Sequence, residues 1–149
     1  MAATGALGVR IREDLDVFEA RWSVRRAALT IGFPPRAADE LVLVASELAT
    51  NILKFGRPGS LAAQRIDDPE HGAGIRLVAV DSSPPIADFE RVLARSAVVG
   101  AAMEWTGRGL GGGLGAVVRF SDRVECLAGP GSGKQIVVDR FLSRARRRT

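Results

Sequence analysis

The sequence predicts an α+β fold, a two-layer sandwich in which helices cover one face of a mixed, mostly antiparallel sheet. Three observations carry this. Residues 37–55 keep an apolar helical pattern too wide for a surface helix. Two pairs of short β-prone runs, 60–67 with 74–81 and 123–127 with 135–141, are each joined by a brief polar or glycine-rich turn. No repeat and no second core-forming block follows, so the 149 residues read as one domain, 1–149, with a basic tail at 143–149.

Each element has a local reason. Leu7, Val9 and Ile11 alternate with small or polar residues as a first strand. Asp14 is placed to cap a helix that carries Phe18, Trp22 and Leu29 and stops at Gly32, with Trp22 expected on its inner face. Phe33-Pro34-Pro35 breaks the chain, and the long apolar helix then runs to Gly56. Two strands follow, joined by Asp68-Pro69-Glu70-His71-Gly72, where His71 is expected in solvent. After a sharp turn at Ser82–Pro85 comes a short helix containing Phe89, Val92 and Leu93. Residues 97–115 are rich in small side chains and glycine, with Trp105 their one large aromatic, and a helix begins inside them and runs to Phe120. The last hairpin turns at Gly129-Pro130-Gly131-Ser132-Gly133, with Cys126 expected half-buried in its first strand.

Composition narrows the function. The four arginines Arg144, Arg146, Arg147 and Arg148 account for all of the net charge of +4, so residues 1–143 balance to zero. No aromatic residue interleaves with that cluster, which makes it a solvated tail and nucleic acid an unlikely partner. One cysteine excludes an internal disulfide, and a single histidine excludes a His/Cys metal site. No apolar run reaches the roughly 20 residues needed to span a bilayer, and residues 1–8 lack the pattern of a signal peptide, so a cytoplasmic location with no membrane partner is the expectation.

The long helix holds the most informative pattern. Glu40, Glu47, Asn51 and Lys54 are spaced by seven, four and three. At about 100° per residue they share roughly one 60° strip of an otherwise apolar helix. Such a line of acid, amide and amine faces a partner, because unpaired buried polar groups are costly. An internal salt bridge is one such partner and a ligand is the other.

Two glycine-rich stretches compete as phosphate sites. Gly131-Ser132-Gly133-Lys134-Gln135 is not a P-loop: Ala128 stands where its first glycine should be, Gln135 replaces the metal-binding hydroxyl, and a strand follows. Gly107-Arg108-Gly109-Leu110-Gly111-Gly112-Gly113-Leu114-Gly115 is the better candidate. Its glycines let backbone approach a ligand, and the helix it opens aims free N–H groups at an anion.

In that order, the motifs resemble the GHKL ATPase superfamily, which has the Bergerat or histidine-kinase-like fold. Within it, the chain is most similar to small bacterial switch kinases and anti-sigma factors of partner-switching systems, including the RsbT-type kinases of the stressosome. The resemblance runs from Val9 to Phe141 and rests on Ser46-Glu47-Leu48-Ala49 with Asn51, on Asp81 to Ile86, and on Gly109-Leu110-Gly111-Gly112-Gly113-Leu114. It implies ATP and Mg²⁺ as cofactors, with Asn51 as the metal ligand and Glu47 as general base. It places Lys54 on a phosphate, Asp81 on the adenine amino group, Ile86 and Lys134 around the base, and Gly109, Leu110, Gly111, Gly113 and Leu114 in a lid over the phosphates. The implied partner is a STAS-domain antagonist phosphorylated on serine or threonine, or a sigma-factor or phosphatase protein. Members often pair through the sheet or the first helix, so a homodimer is one arrangement to test.

The pattern breaks on the adenine side. Asp81-Ser82-Ser83-Pro84-Pro85-Ile86 lacks both glycines of the family's Asp-x-Gly-x-Gly-Ile. Gly131-Ser132-Gly133-Lys134 replaces its Gly-x-Gly-Thr, and Lys134 is placed to pair with Asp81. Two readings follow: a protein serine/threonine kinase with an altered base pocket, or a catalytically silent module that keeps the fold and sequesters a regulatory partner.

Overall fold

The computed structural model describes residues 7–106 and 113–147, with side chains described for 8–97 and 113–145. The elements are β1 (Leu7–Ile11), α1 (Asp14–Ile31), α2 (Pro35–Phe55), β2 (Gly59–Asp68), β3 (Gly72–Asp81), α3 (Phe89–Thr106), α4 (Gly115–Arg119), β4 (Arg123–Ala128), β5 (Lys134–Phe141) and α5 (Leu142–Arg147).

The two-layer α+β architecture is the one the sequence pattern implies. The sheet order is β1-β2-β3-β5-β4, and every pairing in it is antiparallel, so no parallel pair makes the sheet mixed. The register sets Val9 beside Leu61, Leu61 beside Ala79 and Leu77 beside Val138 on one face. These residues are buried with Leu41, Val44, Leu48 and Ile52 of α2 and with Ala20, Val24 and Ala28 of α1. Each fully buried leucine or isoleucine there stabilises the fold by about 1.5–3 kcal/mol.

Several local expectations change. Glu13, not Asp14, is the N-cap of α1, and the Asp16 carboxylate accepts the amides of Arg12 at 2.8 Å and Glu13 at 3.0 Å. A side chain at the third helical position reaches back to the cap, which Asp14 at the first cannot. Trp22 is not in the core: it is 66% exposed, with Leu15 and Phe18 beside it, because α1 lays its small residues Ala20, Val24 and Ala28 against the core. Helix α3 is long, running through the alanine-rich 94–102 to Thr106, since those small residues are good helix formers. The start of the basic C-terminal segment is helical, for α5 follows β5 directly, buries Ala145, and brings Arg144 within 3.5 Å of Asp122.

On the opposite face of the sheet, Asp139 receives two guanidinium groups. Arg76 donates to it at 2.8 and 2.9 Å and Arg123 at 2.9 and 3.2 Å, while Arg123 also reaches Asp68 at 3.2 Å. The His71 ring is not simply in solvent; it lies 4.7 Å from the ring of the buried Phe141. Cys126 is half-buried in β4, as its alternation implies. No helix among the described residues is long and apolar enough to cross a membrane.

Candidate functional site

The polar line on α2 divides among different partners. Glu40, at the start of the line, joins the buried Arg140 of β5 at 2.8 Å, and Arg140 also donates to the Ala37 carbonyl at 3.4 Å. Glu40 therefore serves the fold, in an ion pair with a residue of β5 that the spacing on α2 does not announce. Lys54, at the other end, is exposed on the last turn.

Glu47 and Asn51 lie between them, one turn apart, and both meet the segment that opens α4. Glu47 is 3% exposed, and its Oε1 accepts the Val117 amide at 2.9 Å. Burial pushes its carboxyl above the usual glutamate range, while the Ala116 and Val117 amides pull the other way. Asn51 is half-buried against Gly113: a Cβ on that glycine would stand 3.3 Å from Asn51 Oδ1, and the backbone there has φ +73°. Glycine at 113 therefore both adopts the left-handed turn and keeps a side chain from pressing on the amide oxygen. Leu114 is buried and packs α4 onto the core. Gly109, Leu110 and Gly111 lie outside the described residues, and the side chain of Trp105 is likewise not described.

The second cluster forms where β3 ends. Asp81 and Lys134 are cross-strand neighbours, as the motif order suggested. Lys134 Nζ donates to Asp81 Oδ2 at 2.7 Å and to Oδ1 at 2.9 Å, and both side chains are nearly sealed, at 4% exposure for Asp81 and 7% for Lys134. Ser83 completes the group. Its amide and its hydroxyl donate to Asp81 Oδ1 at 2.8 and 2.6 Å, and its Oγ accepts from Lys134. Ile86, just beyond, is partly buried against the core.

Helix α2 ties the clusters together. A Cβ on Gly56, its C-cap, would fall 2.5 Å from Asp81 Cγ, so the helix end rests directly on the carboxylate. Asn51 and Gly56 are five residues apart, about 7–8 Å along the helix axis. The turn before β5 presses from the other side, where a Cβ on Gly133 would come 2.2 Å from the Asp81 carbonyl oxygen. Gly133 is followed at once by the strand β5, not by a helix, in keeping with the rejection of a P-loop.

Sequence reasoning missed three participants: Gly56, read only as a helix stop, Ser83 as a bridge between Lys134 and Asp81, and the Val117 amide as the partner of Glu47. A signal existed only for Ser83, which stands where the motif has glycine. Among the described residues no group of three or more His, Cys, Asp or Glu side chains is arranged to hold a metal. The donor set near Glu47 and Asn51 instead suits Mg²⁺ held by one amide oxygen with phosphates and water supplying the rest. The Asp81 cluster is different, since both oxygens of Asp81 already have donors.

No protein-family model matches the chain. It is 28% identical over 134 residues to the serine/threonine-protein kinase RsbT of Bacillus subtilis, covering 90% of this chain and 95% of that protein. Its fold is similar to that of a chain in the crystal structure of the SiaB-SiaC complex from Pseudomonas aeruginosa, with a TM-score of 0.57 and 17% identity over 89% of this chain and 88% of that one. The resemblance to RsbT-type switch kinases read from the motifs therefore holds along nine-tenths of the chain.

Proposed function

We propose that this chain is an ATP-dependent protein serine/threonine kinase that acts as a regulator in bacterial partner switching. The observation that carries the reading is the pairing of Glu47 and Asn51, which brings a buried carboxylate and an amide oxygen together at the glycine-led start of α4. The likeness to RsbT over almost the whole chain supports the same reading.

In this reading ATP supplies the phosphoryl group and Mg²⁺ the positive charge that offsets it. Asn51 Oδ1 holds the metal, and Lys54, exposed at the end of α2, steadies a phosphate. Glu47, its carboxyl raised by burial, accepts the proton of the acceptor hydroxyl. The lid over the phosphates that the resemblance implies would comprise Gly109, Leu110, Gly111, Gly113 and Leu114, of which Leu114 is held in the core. The acceptor is a serine or threonine of a STAS-domain antagonist in the cytoplasm, so that phosphorylation controls binding and, through it, stress or sigma-factor signalling. A sigma-factor or phosphatase protein is the alternative partner, and pairing of two copies is compatible with either. The silent-module reading draws on the Asp81–Lys134 pair alone, and the intact Glu47–Asn51 end weighs against it.

Titration of the whole chain with ATP, with and without Mg²⁺, tests the reading. Binding that requires Mg²⁺ and falls about tenfold or more in Asn51→Ala is expected. Equal affinity of wild type and Asn51→Ala, or no Mg²⁺ dependence, would remove the proposed metal role. Transfer of labelled phosphate from ATP to STAS-domain proteins of the same genome then identifies the acceptor.

A further inference from the structure

We infer that Lys134 and Ser83 remove base selection from this site, so that the chain takes nucleoside triphosphates by their phosphate end with little regard to the base. The inference rests on the nucleotide-site reading above and specifies the substrate class of that site.

Both oxygens of the Asp81 carboxylate already have donors, three on Oδ1 and one on Oδ2. The three protons of the Lys134 ammonium point at Oδ1, Oδ2 and Ser83 Oγ, and Ser83 adds two further donors to Oδ1. Asp81 has no room to turn toward α2, because a Cβ on Gly56 would already fall 2.5 Å from its Cγ. Only the second lone pair of Oδ2 is left, on a side chain that is 4% exposed, so an adenine amino group must otherwise displace one of these donors. A charge-assisted hydrogen bond is then exchanged for a neutral one, and a nearly sealed ammonium loses its counter-ion. The exchange brings no net gain, so the amino group of adenine is not rewarded.

Guanine is not penalised for the converse reason. It carries an oxygen where adenine carries that amino group, and a bare carboxylate would repel it. With Lys134 in place the pair is neutral as a whole, and the repulsion is largely cancelled. A polar site discriminates strongly when its group is left unpaired by the wrong ligand. Here the group is paired before any ligand arrives. Discrimination passes to the Glu47–Asn51 end, which meets phosphates common to all nucleoside triphosphates.

Lys134→Thr reverses the situation. Asp81 keeps only the Ser83 donors, and an adenine amino group supplies the missing one, while the guanine oxygen faces an uncompensated charge.

Calorimetric titration of the whole chain with Mg·ATP, Mg·GTP and Mg·tripolyphosphate tests this. Dissociation constants for ATP and GTP are expected to agree within about threefold in the wild type, and ATP to be favoured about tenfold or more in Lys134→Thr. Lys134→Arg, which keeps the cation, should stay indifferent to the base. A wild type that prefers either nucleotide by tenfold or more overturns the inference and leaves the nucleotide-site reading standing. A Lys134→Arg variant that selects ATP also overturns it. If none of the three ligands binds, both the inference and the nucleotide-site reading fall. The wild-type ratio decides the matter even where Lys134→Thr does not fold.

Discussion

The carboxylate of Glu47 holds the amide of Val117 at 2.9 Å, joining the middle of α2 to the first turn of α4. Val117 is itself completely buried, so its N–H has no access to water and needs this acceptor. One side chain thus docks α4 and, in the proposed kinase reading, has a second duty as the base. The two separate by substitution. Glu47→Gln keeps an oxygen for Val117 but cannot take a proton. Its melting temperature should match the wild type, while phosphate transfer falls by about 10²–10⁴-fold. Glu47→Ala loses both duties, and the orphaned amide should cost about 1–3 kcal/mol of stability. Transfer assays beside thermal melts of the two variants read the two effects independently. Undiminished transfer in Glu47→Gln would remove the base from this position.

Trp22 provides a test of which side of α1 faces the core. A tryptophan packed inside costs about 3–5 kcal/mol when truncated. At 66% exposure Trp22 should behave as a surface residue, so Trp22→Ser is expected to shift stability by less than about 0.5 kcal/mol. Leu48→Ala, at 1% exposure on α2, is the control and should cost about 2–5 kcal/mol. Urea unfolding of both variants gives the comparison. A large loss in Trp22→Ser would mean that α1 turns the opposite side inward.

The elements that the sequence made legible are those whose signal is local. The hairpins, the break at Pro34-Pro35 and the left-handed Gly32 that ends α1 each follow from a few neighbouring residues. The Asp81–Lys134 contact was also legible, since both residues sit at strand ends that motif order brings together. What failed depended on partners distant in sequence. Glu40 belongs to Arg140, one hundred residues away, and nothing near either residue announces it. On α1, large apolar side chains and small ones occupy different sides, and hydrophobicity alone favours the large ones. Close helix packing favours the alanines instead. The run of small residues before the glycine-rich stretch reads with it as one small-residue segment, yet alanine is also the best helix former, and α3 continues through it. At α5 the arginines drew attention away from Leu142 and Ala145, the two residues that dock it.

Asp139 offers a prediction in which stability depends on pH with a definite sign. Burial raises its carboxyl pKa, but the hydrogen bonds and charges of Arg76 and Arg123 outweigh that, and the net shift is downward from the ordinary 3.8. A carboxylate depressed in the folded state contributes stability above its unfolded pKa, and loses it as pH falls through the lower folded value. Asp139→Asn keeps the shape but cannot carry the charge that both guanidiniums face. Because Arg76 and Arg123 are 34% and 43% exposed, solvent screens part of the loss. The cost at pH 7 should be about 2 kcal/mol, below the scale of a fully buried pair. Urea midpoints at pH 7, 5 and 3 check the sign. The wild type should exceed Asp139→Asn by a constant margin from pH 7 to 5, and the margin should narrow at pH 3 as Asp139 itself takes up a proton. A margin that persists undiminished into acid would show that the aspartate acts through its shape and hydrogen bonds, and that its charge contributes nothing.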